Sequence, residues 1–125
     1  MTRFVPPGWP RGLPPGGTPE FDERVVGWLL DQGPADLRTS ELRHLPLALA
    51  TYLEHHIDGC LEGARRAYGQ ARTDLGSAMP ADELARAQRA LESEGARLLQ
   101  VQREVRLVLV AMRVPPPDTG GRMGR

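Results

Sequence analysis

Residues 84–112, LARAQRALESEGARLLQVQREVRLVLVAM, decide the fold of this chain. Apolar residues recur in this stretch every seven positions, at Leu84, Leu91, Leu98, Val105 and Met112. A second series follows three residues after the first four members, at Ala87, Glu94, Val101 and Val108. This spacing is typical of a long helix that packs one stripe of side chains against another helix.

The preceding segment carries the same seven-residue pattern, at Ile57, Leu61, Ala64, Tyr68, Ala71 and Leu75. Pro46 favours the first turn of a helix, which predicts a helix over residues 46–75. Pro80 restarts the chain as a helix that ends near Val114, before three consecutive prolines. The two long helices, 46–75 and 80–114, should therefore form an antiparallel hairpin that turns at residues 76–79.

A row of small residues, Gly59, Gly63 and Ala67, follows the helix at four-residue spacing. Glycine lowers helix stability by about 1 kcal/mol per residue but permits close backbone approach. The row predicts that a neighbouring helix packs there.

A shorter helix precedes the hairpin. Thr18 is a good N-cap and Pro19 suits the first helical position, which predicts a helix over residues 19–32. Its apolar stripe consists of Phe21, Val25, Trp28 and Leu29. Residues 34–45 should connect the two helices through one short helical turn capped by Ser40.

The two ends of the chain are rich in proline and glycine. Residues 1–17 predict an extended arm, and residues 115–125 a disordered tail. The arm carries Phe4 and Trp9, which either pack along the helices or serve as part of a proline-rich ligand for a partner's aromatic groove. The predicted fold is thus all-α: a single helical domain, residues 18–114, made of a hairpin of two long helices with the shorter N-terminal helix at its open end.

Composition excludes several classes of function. The formal net charge is zero and the sequence pI is about 6.8, which disfavours binding to nucleic acids. The uncharged stretches are far shorter than the roughly 20 residues that span a membrane. Cys60 is the only cysteine and no apolar signal segment precedes Pro7, so a cytoplasmic protein is expected. All 16 basic residues are arginine and asparagine is absent, which suggests a high-GC bacterial genome.

One cluster contains side chains of the types that bind metals. His56 and Cys60 are four residues apart on one helix face, and Glu94 is predicted opposite Cys60 across the hairpin. Nitrogen, sulfur and oxygen ligands of this kind suit zinc or another transition metal, with His55 as a supporting group. The alternative is that Glu94 and His56 satisfy each other while Cys60 packs as a small apolar residue.

The sequence shows no catalytic constellation. Cys60 beside His56 is the one nucleophile–base pairing available, and no third residue or oxyanion donor can be identified. Arg65, Arg66 and Arg72 could contact DNA, but Glu62 and Asp74 balance them. The turn, Gly76 to Met79, lacks the Trp-x-Gly sequence of the small secreted helical-hairpin proteins, so no family is assigned.

Residues 107–112 are apolar around the whole helix and need neighbours on several sides. We therefore predict a non-enzymatic helical protein that acts by protein–protein interaction, as a homodimer or with a helical partner. The predicted interaction surface consists of Phe4, Trp9, Leu107, Leu109, Val110 and Met112. A metal- or ligand-binding bundle built on His56, Cys60 and Glu94 is the alternative.

Overall fold

The computed structural model describes residues 5–114. Three α-helices account for most of these residues: α1 (Pro19–Asp31), α2 (Pro46–Leu75) and α3 (Ala81–Arg113). Two short 3₁₀ helices, Ala35–Thr39 and Glu41–His44, connect α1 to α2. The described residues contain no strand, and α2 packs along α3 as an antiparallel hairpin. The predicted all-α hairpin is confirmed.

Local hydrogen bonds fix where the helices begin. The Thr18 hydroxyl accepts a bond from the Phe21 amide at 3.1 Å, which caps α1. Ser40 caps the second 3₁₀ helix in the same way, by accepting from the Leu42 amide at 3.1 Å. The sequence predicted one helical turn between α1 and α2, whereas the chain forms two because Ser40 itself is extended and separates them.

The hydrophobic core lies at the open end of the hairpin, where α1 and the arm meet α2 and α3. Its largest fully buried side chains include Leu29 of α1, Leu53 of α2 and Val105 of α3. The contiguous cluster consists of Leu13, Phe21, Val25, Leu29, Leu30, Leu37, Leu49, Ala50, Leu53, Ile57, Val101, Val105, Val108 and Leu109. The prediction that the N-terminal helix packs at the open end is confirmed.

Neither α1 nor the described part of the arm covers the half of the hairpin nearest the turn. This turn half comprises residues 62–75 of α2 and 81–97 of α3. Ala71 is its one buried residue, and Tyr68, predicted on the seam, is 45% exposed. The other seam residues are only half buried: Ala64, Leu75, Leu84, Ala87 and Leu91. The turn half therefore projects from the core as two helices that pack on each other alone.

No third helix packs on the predicted row of small residues. Gly59, Gly63 and Ala67 are exposed, and apart from the nearby backbone of α2 itself nothing lies within 4 Å of where a Cβ on either glycine would sit. The prediction of a neighbouring helix at this row is wrong within the single chain. The reason is that Ile57, Leu61 and Ala71 turn another face of α2 toward α3.

The described part of the arm packs on the helices. Leu13 joins the core, and the Trp9 indole NH donates to the Leu13 carbonyl at 2.8 Å while its ring lies 6.0 Å from that of Phe21. Gly8, Gly12 and Gly17 have φ between 80° and 86°, which lets the arm turn sharply over the surface. Trp9 therefore serves as a packing residue. Phe4 and the predicted tail, residues 115–125, lie outside the described residues.

Contact between the arm and α3 predicts a steric effect at Gly16. A Cβ at Gly16 would lie 2.8 Å from the Cβ of Ala111, which cannot rotate away. Gly16→Ala should lift the arm and lower the free energy of unfolding by about 1–3 kcal/mol, measured by urea denaturation, with a change in Trp fluorescence.

The control is Gly27→Ala, the same change at an open position of α1 where a Cβ meets nothing within 4 Å. That variant should gain about 0.5–1 kcal/mol, because alanine is the better helix former. Equal stability of the Gly16→Ala variant and the parent would contradict the docked arm.

Candidate metal pair and interaction surfaces

The structure brings together two of the three predicted metal ligands. His56 and Cys60 are one turn apart on α2, and Nε2 of His56 lies 3.4 Å from Sγ of Cys60. The ring of Tyr52 stacks on the imidazole at 5.7 Å, with an angle of 23° between the planes. Both His56 and Cys60 are half buried, whereas the neighbouring His55 is exposed.

The third predicted ligand, Glu94, is bound by an arginine of its own helix. Arg97 donates from Nε to Oε1 of Glu94 at 3.1 Å and from Nη2 to Oε2 at 2.6 Å. This bidentate hydrogen bonding lowers the pKa of Glu94 and raises the pKa of Arg97.

Two donors alone do not make a metal site. Zn–S and Zn–N bonds of about 2.3 and 2.0–2.1 Å in a tetrahedron imply an S···N edge of about 3.5 Å, close to the 3.4 Å between Cys60 and His56. Across residues 5–114, however, no three His, Cys, Asp or Glu side chains form a group that could hold a metal. The three-ligand site stays a prediction that requires Glu94 to leave Arg97.

The opposite flank of the hairpin carries polar contacts that the sequence analysis missed. Gln102 of α3 donates to Asp58 of α2 at 2.6 Å. Arg106 lies 3.4 Å from Asp58 and 3.6 Å from Glu54. These contacts fix the register of α3 against α2 near the core.

The pairing of Arg97 with Glu94 could have been found from their three-residue spacing, which places both on one helix face.

The predicted interaction surface at the open end is largely used inside the chain. Leu109 is only 4% exposed and belongs to the core, so its placement on a surface is corrected. Trp9 and Met112 pack against the core. Leu107 lines a shallow groove of about 480 Å³ beside the arm. Val110, at 61% exposure, remains the most open member of the set that the structure describes.

The apolar circumference of α3 at its end predicts a surface position for Leu109 as well as for Val110. The structure places Leu109 in the core together with residues of α1, α2 and the arm, whereas other apolar side chains of that end stay outside the core. Exposed apolar side chains remain there at Leu45, Leu47, Val110 and Val114.

A second open surface lies on the turn half. A broad depression of about 650 Å³ runs along α3 near the turn. Its lining mixes small apolar residues with charges: Met79, Glu83, Arg86, Ala87, Arg89 and Ala90. Together with the half-buried seam, this depression leaves the turn half accessible to another helix.

Comparison of the chain with protein-family models, with curated proteins and with solved structures gives no match. Within residues 5–114, no helix has the length and apolar character needed to cross a bilayer.

The pair of Arg97 and Glu94 makes a prediction about titration. Arg97→Gln should raise the pKa of Glu94 in an NMR pH titration, because the hydrogen-bonding guanidinium is lost. The folded-state pKa of Glu94 is lowered, so the pair stabilises the fold above the unfolded-state pKa and this contribution disappears as pH falls through the folded-state pKa. In Arg97→Gln this acid-dependent contribution should vanish.

The control is Arg89→Gln, which removes an exposed arginine from the same helix. It should leave the pKa of Glu94 unchanged. An equal rise in both variants would assign the shift to general charge and not to the pair.

Proposed function

We propose that this protein is a non-enzymatic helical protein that acts through protein–protein interaction, and that its partner is a second copy of the same chain. The observation that supports the proposal is the turn half, where two helices extend beyond the core with a half-buried seam. Its 14 residues of α2 and 17 of α3 correspond to roughly 21–25 Å of paired helix.

A two-helix projection is poorly stabilised by itself. Leu75, Leu84 and Leu91 keep part of their apolar surface in water, and burying such surface contributes about 25 cal/mol per Å². Docking another helical surface on the seam removes that surface from water. The seam therefore favours an interaction role for this part of the chain.

A second copy suits the seam because it carries the same surface. Two hairpins related by a two-fold axis form a four-helix bundle in which each seam covers the other. The net charge of zero means that two copies do not repel each other as whole molecules. The same neutrality disfavours a nucleic acid as partner, and Arg66 is already 3.5 Å from Glu62.

A cytoplasmic location accords with the thiol chemistry. Cys60 is a free, half-buried cysteine, and free thiols persist in reducing compartments. The arginine-only basic composition suggests a high-GC bacterium as the source.

Metal binding is a second candidate function, favoured by the 3.4 Å separation of His56 and Cys60. Glu94 would complete a three-donor zinc site if its carboxylate left Arg97 and turned toward the pair. The arrangement would hold the metal between α2 and α3 and stabilise the hairpin at the border between core and turn half.

Self-association through the seam predicts the effect of a charge at Leu91. Leu91→Glu should weaken dimerisation at least tenfold in sedimentation equilibrium, because it places a carboxylate in the seam. Helical content by circular dichroism should persist, because Leu91 is half exposed in the single chain. Ala48→Glu, which adds the same charge at an exposed position of α2 outside the turn half, is the control and should dimerise like the parent.

A parent protein that stays monomeric at high concentration would overturn self-association. Val110→Glu separates the two surfaces. If it abolishes dimerisation while Leu91→Glu does not, the interface lies at the open end and the assignment to the seam is wrong.

The metal candidate predicts thermal stabilisation by Zn²⁺ that disappears in His56→Ala and Cys60→Ala. His55→Ala removes the exposed neighbour and should respond like the parent. Arg97→Gln should bind zinc more tightly, because it frees Glu94. Equal stabilisation of the parent and Cys60→Ala by zinc, or none in either, would rule out this site.

A further inference from the structure

We infer that two copies of the chain pair through their turn halves in antiparallel orientation, with the turn of each copy against the arginines of α2 in the other. This inference rests on the proposed self-association and specifies its geometry. It comes from the distribution of charge along the hairpin, which the net charge of zero conceals.

Acidic and basic side chains are segregated along residues 63–85, whereas residues 86–97 of the turn half carry both signs. Residues 73–85, the acidic tip, carry Asp74, Asp82 and Glu83 and no basic residue. Residues 63–72, the basic stretch, carry Arg65, Arg66 and Arg72 and no acidic residue. The acidic tip thus has a formal charge of −3 and the basic stretch one of +3.

These charges are available to a partner. All six side chains belong to exposed residues. Among residues 5–114, Arg66 is the one member of the six that forms an ion pair, at 3.5 Å from Glu62, with both side chains more than 60% exposed. A pair so open to water is weak, so Arg66 can exchange Glu62 for a carboxylate of another chain.

Charge distinguishes the two possible orientations. In a parallel pair, each acidic tip meets the other acidic tip and the like charges repel. In an antiparallel pair, each tip can meet the basic stretch of the partner, and the two-fold axis repeats this contact twice. The antiparallel pair is therefore favoured.

The positions of the charges also set the overlap. Counted from the centre of the turn, Arg65 and Arg66 are about 12 residues away and Asp82 and Glu83 about five. In an antiparallel pair, the arginines of one copy meet the acidic residues of the other when the two-fold axis lies midway between these two distances, about 8.5 residues from each turn. At a rise of about 1.5 Å per residue, this is about 13 Å. Gly69 of α2 and Arg86 of α3 lie at that level.

The structure is open at that level. A Cβ at Gly69 would meet nothing within 4 Å, and the exposed Arg86 lines the depression on α3. The stretch in which the two hairpins overlap then includes the seam residues from Leu84 to Leu91. The same antiparallel arrangement therefore serves both the apolar and the charged contacts.

A charge exchange between copies tests the orientation. The double variants R65E/R66E and D82R/E83R should each self-associate at least tenfold more weakly than the parent, because like charges then face each other. An equimolar mixture should form heterodimers with about the parent affinity, because opposite charges again meet at both contacts. Native mass spectrometry separates the heterodimer from both homodimers by mass, and sedimentation equilibrium gives the affinities.

The matched control is E20R/E23R on α1. It makes the same change in charge near the start of a helix, at exposed positions far from the turn half. It should dimerise like the parent and give no preference for heterodimers with R65E/R66E. Circular dichroism of every variant verifies that the helices remain.

The outcomes separate the orientation from the self-association on which it rests. Suppose that the parent dimerises and that Leu91→Glu abolishes dimerisation. If the charge variants then dimerise like the parent, or if their heterodimer is no tighter than their homodimers, the antiparallel orientation is overturned and the proposed function stands. If the parent does not dimerise at all, both are overturned.

Discussion

Burial of α1 and the arm against the open end of the hairpin is the interaction on which the rest of this structure depends. Leu29, Leu53, Val105 and Val108 are almost completely removed from water there. Because α1 has only 13 residues, it is about 20 Å long and too short to cover a hairpin roughly twice that length. One short helix therefore divides the hairpin into a packed half and a turn half, and this division leaves the seam open.

Polar contacts position the hairpin more than they stabilise it. Asp58, Gln102 and Arg106 form a partly exposed network on one flank, and exposed ion pairs contribute little to stability. On α3, Arg97 and Glu94 satisfy each other. The first network flanks the core residues Ile57 and Val101, and the second lies where the turn half begins, so together they fix how α2 and α3 meet along this part of the hairpin.

Sequence periodicity predicted the long elements closely. The predicted helices 46–75 and 80–114 compare with Pro46–Leu75 and Ala81–Arg113 in the structure, because proline and the seven-residue repeat mark both ends of each helix. Periodicity could not show that Leu109 faces inward, since α3 is apolar on every side there. It also could not show that Arg97 binds Glu94, or that Gly59 and Gly63 stay uncovered, because these depend on which faces α1 and the arm leave open.

Net charge is an incomplete guide to how this chain meets a partner. The total of zero argues against attraction to a polyanion, yet acidic and basic residues separate into adjacent zones within 23 residues of the turn half. Charges in zones about one Debye length apart interact with a docked surface as separate patches, not as their sum. A surface whose two zones have opposite sign complements an inverted copy of itself. A net charge of zero and the separation of acidic from basic residues therefore favour association between like chains over association with a partner of uniform charge.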